Sequence, residues 1–209
     1  MTIPPSVAAP TGLHLAIGRY GRPREWQCAY RVGREDIDYR RTVAARRSAE
    51  VVLALCRPGG RVVLHTKAFY PAGAYRLLTG GVQPGGDLLE AVRREAREET
   101  GLDVTIERFL GIIHHRFTHG QSIAPLDSYV FSVDGPGGAL RPEDVGERIS
   151  GYREVPVADL PGVARHLQAL PAGWLGWGRF RAVPHLLVYE ALAAADAGPR
   201  DADGGVHGG

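Results

Sequence analysis

Sulfur is scarce in this chain, with two cysteines, Cys28 and Cys56, and one methionine among 209 residues. The cysteines stand far apart, in no CxxC or zinc-ligand spacing, so no disulfide framework is available and a reduced, cytoplasmic setting is the default expectation. Net charge is equally small. Twenty-five Lys and Arg against twenty-three Asp and Glu leave +2, which gives no ground for a nucleic-acid partner or an acidic membrane surface. No apolar run is long enough to span a bilayer, and the opening Met1-Thr2-Ile3-Pro4-Pro5 lacks the apolar core of a signal peptide. No Ser-His-Asp or Cys-His arrangement suggests itself, and Gly80-Gly81 lacks the lysine of a P-loop. His114, His115 and His119 cluster in sequence, but alternate strand residues face opposite ways, so their spacing makes no zinc set.

What the chain does have is a glycine-rich stretch, Gly80-Gly81-Val82-Gln83-Pro84-Gly85-Gly86-Asp87, that runs directly into an acidic helix. Asp87 with Glu90 has the form of a capping box, which predicts a helix from Leu88. Gly101 supplies a left-handed stop. At about 100° per residue, Leu88, Leu89, Ala91, Val92 and Ala96 share one face, while Glu90, Arg93, Arg94 and Arg97 take the other. Glu95 and Glu99 project within the apolar face, and Glu98 sits at its edge. A surface helix laced with salt bridges explains the arginines but places these glutamates badly. Glu95 and Glu99 repel at i,i+4 by roughly 0.2–0.5 kcal/mol. The helix dipole at their end adds ~0.3–1 kcal/mol, and burial adds desolvation. A hard divalent cation, Mg²⁺ or Mn²⁺, offsets all three costs.

Elsewhere, strands are expected at Val51–Cys56, Arg61–Thr66, Tyr75–Leu78, Val104–Ile106, Leu110–His115, Ser128–Val133 and Gly151–Val155. Trp26–Val32 reads as a strand, and Asp36–Arg47 as strand or helix. A short helix is expected within Asp159–Leu170. A terminal helix is expected over Val183–Ala194, with Pro184 in its first turn. Residues 1 to about 12 and the glycine-rich tail from Ala197 are expected to be mobile or disordered. Arg40, Arg41, Arg46 and Arg47 form a basic cluster, read as a solvated face or as a contact for a substrate phosphate or acidic partner. Trp174, Trp177, Phe180 and Tyr189 read as core or lid packing ahead of a base-stacking platform.

The glycine loop and acidic helix together resemble the Nudix box, G, five residues, E, seven residues, R-E-U-x-E-E-x-G-U, where U is a bulky aliphatic. Gly80 takes the first glycine, and Arg94-Glu95-Ala96-Arg97-Glu98-Glu99-Thr100-Gly101-Leu102 takes the closing run in register. Two positions depart: Gly86 stands where the family has its first glutamate, and Ala96 is small. The resemblance implies an α/β (α+β) fold, a Nudix-type α/β/α sandwich with a mixed β-sheet. It further implies a domain at 43–195, with 1–42 as a partly disordered extension and 196–209 as a disordered tail. The implied activity is that of a pyrophosphohydrolase cleaving a diphosphate bond in a nucleoside diphosphate linked to another moiety. Glu95, Glu98 and Glu99 would hold Mg²⁺ or Mn²⁺, together with a carbonyl near Thr79 or Gly80. A metal-activated water would attack phosphorus. Glu98, Glu99 and Glu147 are the candidate bases, and Arg76 is a phosphate contact or a strand residue with a solvated head. Gly80, Gly86, Arg94 and Gly101 are structural positions of the motif. Without the family's first glutamate, Arg94 needs Glu90 or Asp87 as its anchor. The other reading is a catalytically weakened Nudix-fold module that binds a nucleotide or a protein partner. The expected partners are a small nucleotide-type substrate, with no nucleic acid and no membrane, and a second copy of the chain in a homodimer.

Overall fold

The computed structural model describes residues 9–44, 46, 47 and 49–196, with only the backbone of 195 and 196. The expectations of disorder for residues 1–8 and for the tail from 197 lie outside the described residues. The central element is β2 (Ala49–Arg57), buried along nearly its whole length, as a continuous apolar strand covered on both faces should be. Its alternation divides the core. Val51, Leu53 and Leu55 face one cluster, and Val52 and Ala54 face another.

On one side β2 runs parallel to β6 (Ser122–Asp134). On the other it forks, pairing with β4 (Leu78–Val82) through Ala49–Leu53 and with β3 (Arg61–Lys67) through Cys56 and Arg57. The remaining strands are β1 (Arg24–Arg31), β5 (Thr105–His119) and β7 (Ile149–Pro156). They complete a mixed seven-stranded sheet ordered β1-β5-β6-β2-β3-β7, with β4 off that path. Helices α1 (Leu13–Tyr20) and α3 (Leu88–Thr100) cover the face of Val51 and Leu53. Helix α5 (Ala172–Asp196) covers the opposite face with α4 (Leu160–Gln168) packed on it, while α2 (Arg34–Ala44) sets Ile37 against Phe117 and Phe180 on that side. The arrangement is the expected α/β/α sandwich with a mixed sheet.

Several expectations are corrected. The short strand before the glycines falls at Leu78–Val82, not Tyr75–Leu78, so Gly80 and Gly81 are strand residues paired with Val51 and Glu50. The loop proper shrinks to a turn. Gly86 N donates to Gln83 O at 2.9 Å, and Gly85 has φ 73°, the pattern of a type II turn with Pro84 at its second position. The strands at 104–106 and 110–115 are one strand, β5, bent by two irregularities. Helix α5 begins at Ala172, placing Pro184 in its interior rather than in a first turn. Within 1–42, the strand read at Trp26–Val32 falls at Arg24–Arg31 as β1. Strand β1 pairs with β5 over its full length, and Ala16 of α1 is fully buried. Among the described residues no helix is long and apolar enough to cross a membrane.

Candidate functional site

The capped helix forms as its sequence requires. Asp87 Oδ1 accepts from Leu89 N and Glu90 N at 2.9 and 3.0 Å, satisfying two orphan donors of the first turn. Gly101 closes the helix at φ 72°, and a Cβ there would lie 2.5 Å from Arg141 O. Burial follows the helical phase. Leu88, Leu89, Ala91, Val92 and Ala96 are buried, Glu90, Arg93, Arg94 and Arg97 are exposed, Glu95 and Glu99 are buried and Glu98 is intermediate.

Gly80 explains the placement of Glu95. A Cβ at Gly80 would lie 1.5 Å from Glu95 Cδ, so the carboxylate lies directly on the bare backbone of β4, and only glycine admits it. Burial raises the Glu95 pKa, opposed by Arg94 and reinforced by Glu98. Glu99 goes deeper and is fully buried. Its Oε2 accepts from Thr79 N at 3.0 Å, while Oε1 has no hydrogen-bond partner. Around Oε1 stand Lys67 Nζ at 3.6 Å, His65 Nε2 at 3.8 Å and Arg76 Nη2 at 4.0 Å. Burial pushes the Glu99 pKa up to about 7 against the pull of Arg76 and Lys67, with Glu147 and Glu95 adding to the rise. His65 is buried with both ring nitrogens unbonded, and burial with the nearby cations holds it neutral.

Glu147 is brought in by the segment after β6. Arg141 N and Asp144 N donate to Thr100 O and Glu98 O at 3.0 and 3.2 Å, using carbonyls the helix end leaves unpaired. Glu147 then pairs with Lys67, the residue that also faces Glu99. The next residue, Arg148, sits in the left-handed region at φ 53°, strained for a residue with a Cβ. The segment therefore joins Glu147 to the box through Lys67, a residue the motif does not contain.

Arg94 is anchored differently from expectation. Its Nη2 donates to Gly81 O at 2.8 Å, and its Nη1 meets Glu95 at 2.8 Å and Glu98 at 3.0 Å. Glu90 and Asp87 are not used, because Asp87 is committed to the cap. Gly86 thus leaves no orphaned arginine. Arg76 is also corrected. It has no solvated head, being buried with Nε donating to Tyr70 Oη at 2.9 Å and Nη1 to Leu77 O and Thr79 Oγ1 at 2.9 and 2.7 Å. It serves as an internal counter-charge to Glu99 rather than an outward phosphate contact.

Sequence reasoning missed His65, Lys67 and Tyr70, and at Thr79 it named the carbonyl rather than the amide that bonds Glu99. His65 and Lys67 are two apart on β3 and so share a face, a readable signal of a polar edge on an otherwise apolar strand. The histidines of β5 and its end go to separate partners: His114 to Asp127, His115 to Ser128 and Tyr30, His119 to Val32 O. Trp174 and Trp177 pack on each other and on Tyr70, the tyrosine that holds Arg76.

The donors suit a hard divalent cation in kind: carboxylate oxygens, one of them buried and unbonded at Glu99. Among the described residues, however, no three Asp, Glu, His or Cys side chains are gathered closely enough to hold an ion. Arg94 and Lys67 stand on the carboxylates instead. Loading the site with metal requires these two cations to yield.

A family model described as NUDIX domain matches residues 45–173, more than half of the chain. Two curated relatives carry the name NAD-capped RNA hydrolase NudC. One, from Vibrio atlanticus (strain LGP32), is 30% identical over 124 residues, 59% of this chain and 43% of its own length. The other, from Chromobacterium violaceum, is 29% identical over 117 residues, 56% of this chain and 41% of its own. The chain thus spans less than half the length of these relatives. Among solved structures, an ADP-ribose pyrophosphatase from Streptococcus suis 89-1591 is similar at 18% identity and a TM-score of 0.44, over 69% of this chain and 90% of that one.

Proposed function

The chain belongs to the Nudix family and is a Nudix-type hydrolase, and from that premise we propose that it cleaves a diphosphate bond in a nucleoside diphosphate linked to another moiety, with Mg²⁺ or Mn²⁺. The observation that carries this reading is the buried, unbonded oxygen of Glu99 among three carboxylates whose mutual repulsion nothing else in the fold requires. Glu95, Glu98 and Glu99 would hold the ion. When bound, the ion supplies charge neutralisation on the diphosphate and a lowered pKa for a water molecule.

The chain's own groups do the rest. Gly80 and Thr79 fix Glu95 and Glu99 against β4, and Arg94, which holds the Glu98 carboxylate in the metal-free chain, would keep its bond to Gly81 O when that carboxylate turns to the ion. Of the candidate bases, Glu98 and Glu147 keep part of their side chains exposed while Glu99 is sealed. Proton acceptance from the attacking water therefore falls to Glu98 or Glu147, and Glu99 is left as a ligand. Lys67, released from Glu147 and Glu99, is free to meet substrate charge. The alternative of a weakened binding module loses its motive, since Arg94 is held without the missing glutamate.

The substrate reading is open on one side. The two relatives are named for NAD-capped RNA, so a dinucleotide free or at the end of an RNA belongs among the substrates tested, against the charge-based expectation of no nucleic acid. The expected homodimer is carried forward as well, β1 being an end strand of the sheet. The test is turnover of dinucleotides, nucleotide sugars and NAD-capped RNA with Mg²⁺ or Mn²⁺, read by phosphorus NMR. Glu98→Gln is expected to lose at least ~10²-fold in rate. No turnover of any substrate, with no metal-dependent rise in Tm, would overturn the reading.

A further inference from the structure

On the face of the sheet opposite α3, a cavity of about 160 Å³ opens between α2, the start of β2, the β5–β6 hairpin and α5. It has room for a ring-sized group, since one water needs only roughly 10–15 Å³. Its walls combine flat surfaces with surplus positive charge. Phe117 and Phe180 meet edge to face at 5.5 Å, and the Arg40 guanidinium lies 3.5 Å over the Phe117 ring. Trp177 lines the same cavity.

The cations are under-matched. Arg181 bonds both oxygens of Glu50 through Nη1 alone, at 3.0 and 2.9 Å, and its Nε is buried without a hydrogen-bond partner. Arg40 Nε stands 2.8 Å from Asp36 Oδ1 but is not aligned to bond it. Burial lowers the Arg40 pKa, the paired Asp36 opposes the fall, and Arg181 adds to it by repulsion. Arg47 is a third wall residue. Its exposed side chain crosses β4, where a Cβ on Gly81 would lie 2.5 Å from Arg47 Cδ. Among the described residues it makes no ion pair. Three guanidinium groups thus meet two carboxylates.

The basic cluster of the sequence is therefore divided: Arg40 turns inward, Arg47 bridges to β4, and Arg41 and Arg46 remain exposed. Arg40, Trp177, Phe180 and Arg181 all lie outside the stretch matched by the family model. Inorganic phosphate alone leaves the aromatic walls unused. A neutral ring leaves the cations unmatched. A flat group bearing phosphate satisfies both.

We propose that this pocket binds the base of a nucleoside monophosphate unit, stacked between the Arg40–Phe117 surface and Trp177, with Arg47 on its phosphate. It rests on the hydrolase reading only in that such a unit is one half of the diphosphate substrate. The position suits that role. Arg47 lies on Gly81, next to the Gly80 that receives Glu95, and Arg76 is influenced by both Glu50 in the pocket and Glu99 in the acidic site.

The test is calorimetric titration of the full chain in EDTA with the four nucleoside 5′-monophosphates, their four nucleosides, ribose 5-phosphate and inorganic phosphate. At least one monophosphate is expected to bind about tenfold or more tighter than its nucleoside and than ribose 5-phosphate, the scale of one charge-assisted contact. Arg47→Ala is expected to lose about tenfold in affinity for the monophosphate and little for the nucleoside. Val43→Trp, which fills the pocket from its rim, is expected to abolish both, with Tm showing that it remains folded. Ribose 5-phosphate binding as tightly as every monophosphate, no monophosphate binding at millimolar concentration, or a folded Val43→Trp chain with unchanged affinity would each overturn the proposal. Because no metal is present, the result is separable from the hydrolase reading. Turnover without monophosphate binding sinks the pocket alone, and binding without turnover sinks the hydrolase alone.

Discussion

Glu99→Gln should stabilise the metal-free protein while removing its response to metal. The Glu99 carboxyl is fully buried, and its pKa stands at about 7 against an ordinary 4.5. That shift corresponds to about 3 kcal/mol of differential cost for the ionised form. The sign follows from proton binding. Between pH 4.5 and about 7 the folded chain holds a proton that the unfolded chain has released, so stability falls as pH rises through that window. Glutamine keeps an oxygen for Thr79 N and carries no charge to desolvate. It also takes the carboxylate away from Lys67 and Arg76, so about 3 kcal/mol is the ceiling of the gain. For a chain of this size 1 kcal/mol is roughly 2–4 °C in Tm. Scanning calorimetry in EDTA should show the variant melting roughly 3–10 °C above the parent at pH 8, with the difference shrinking to within about 2 °C at pH 4.5 to 5. Excess Mg²⁺ or Mn²⁺ should raise the parent's Tm and leave the variant's almost unmoved. A variant less stable than the parent at pH 8, or a difference that does not change with pH, would refute the burial argument.

Gly80→Ala should damage metal binding more than folding. The new methyl would sit 1.5 Å from Glu95 Cδ, so the carboxylate must leave its seat, at a stability cost of about 1–3 kcal/mol in urea melts. Metal-dependent activity should fall by well over the tenfold that 1.4 kcal/mol represents, and activity within a factor of about three would show that Glu95 is not a ligand. Gly86→Glu places its Cβ 3.0 Å from Gln83 O, a contact the turn can relieve by a small shift. With Arg94 held elsewhere, kcat/KM is expected to stay within about tenfold of the parent or to improve. A larger fall would mean that the turn needs glycine there for a shape the carbonyl cannot yield.

Helix α3 was legible because its signals are local. The cap, the left-handed stop and the phase of each side chain within α3 follow from nearby residues, and Glu95, Glu98 and Glu99 fall where a 3.6-residue period puts them. Strand β2 was legible for a related reason, as its unbroken apolar run is what burial on both faces demands. What failed was non-local. Gly80 and Gly81 look like loop residues by composition, and only pairing with Val51 and Glu50 of β2 makes them strand. Pro184 signals a helix start, yet α5 runs through it. The next residue, His185, ties this stretch of the helix in place, bonding Arg181 O within α5 and accepting from Leu77 N beside it. Arg76 was unreadable in the same way. Its destination is fixed by Tyr70, Thr79 and Glu99, none of which a local pattern ties to it.

The two adjacent glycines of β4 carry more than the motif accounts for. Successive strand residues face opposite sides of a sheet, and here one side takes an acid and the other a base: Gly80 receives the Glu95 carboxylate, while Gly81 lies under Arg47. A side chain at either position would push away one of the charges. Arg76 is coupled to both sides, since Glu99 and Glu50 each raise its pKa against the larger effect of burial. The acidic site and the arginine pocket are thus held apart by a bare strand, with the buried Arg76 guanidinium 4.0 Å from Glu99 on the acidic side. Filling either site with its opposite charge relieves repulsion there. If Arg76 transmits that relief, metal and nucleoside monophosphate should each tighten the binding of the other by the same factor. An affinity for either ligand that does not change when the other is bound would show that Arg76 transmits nothing between the two sites.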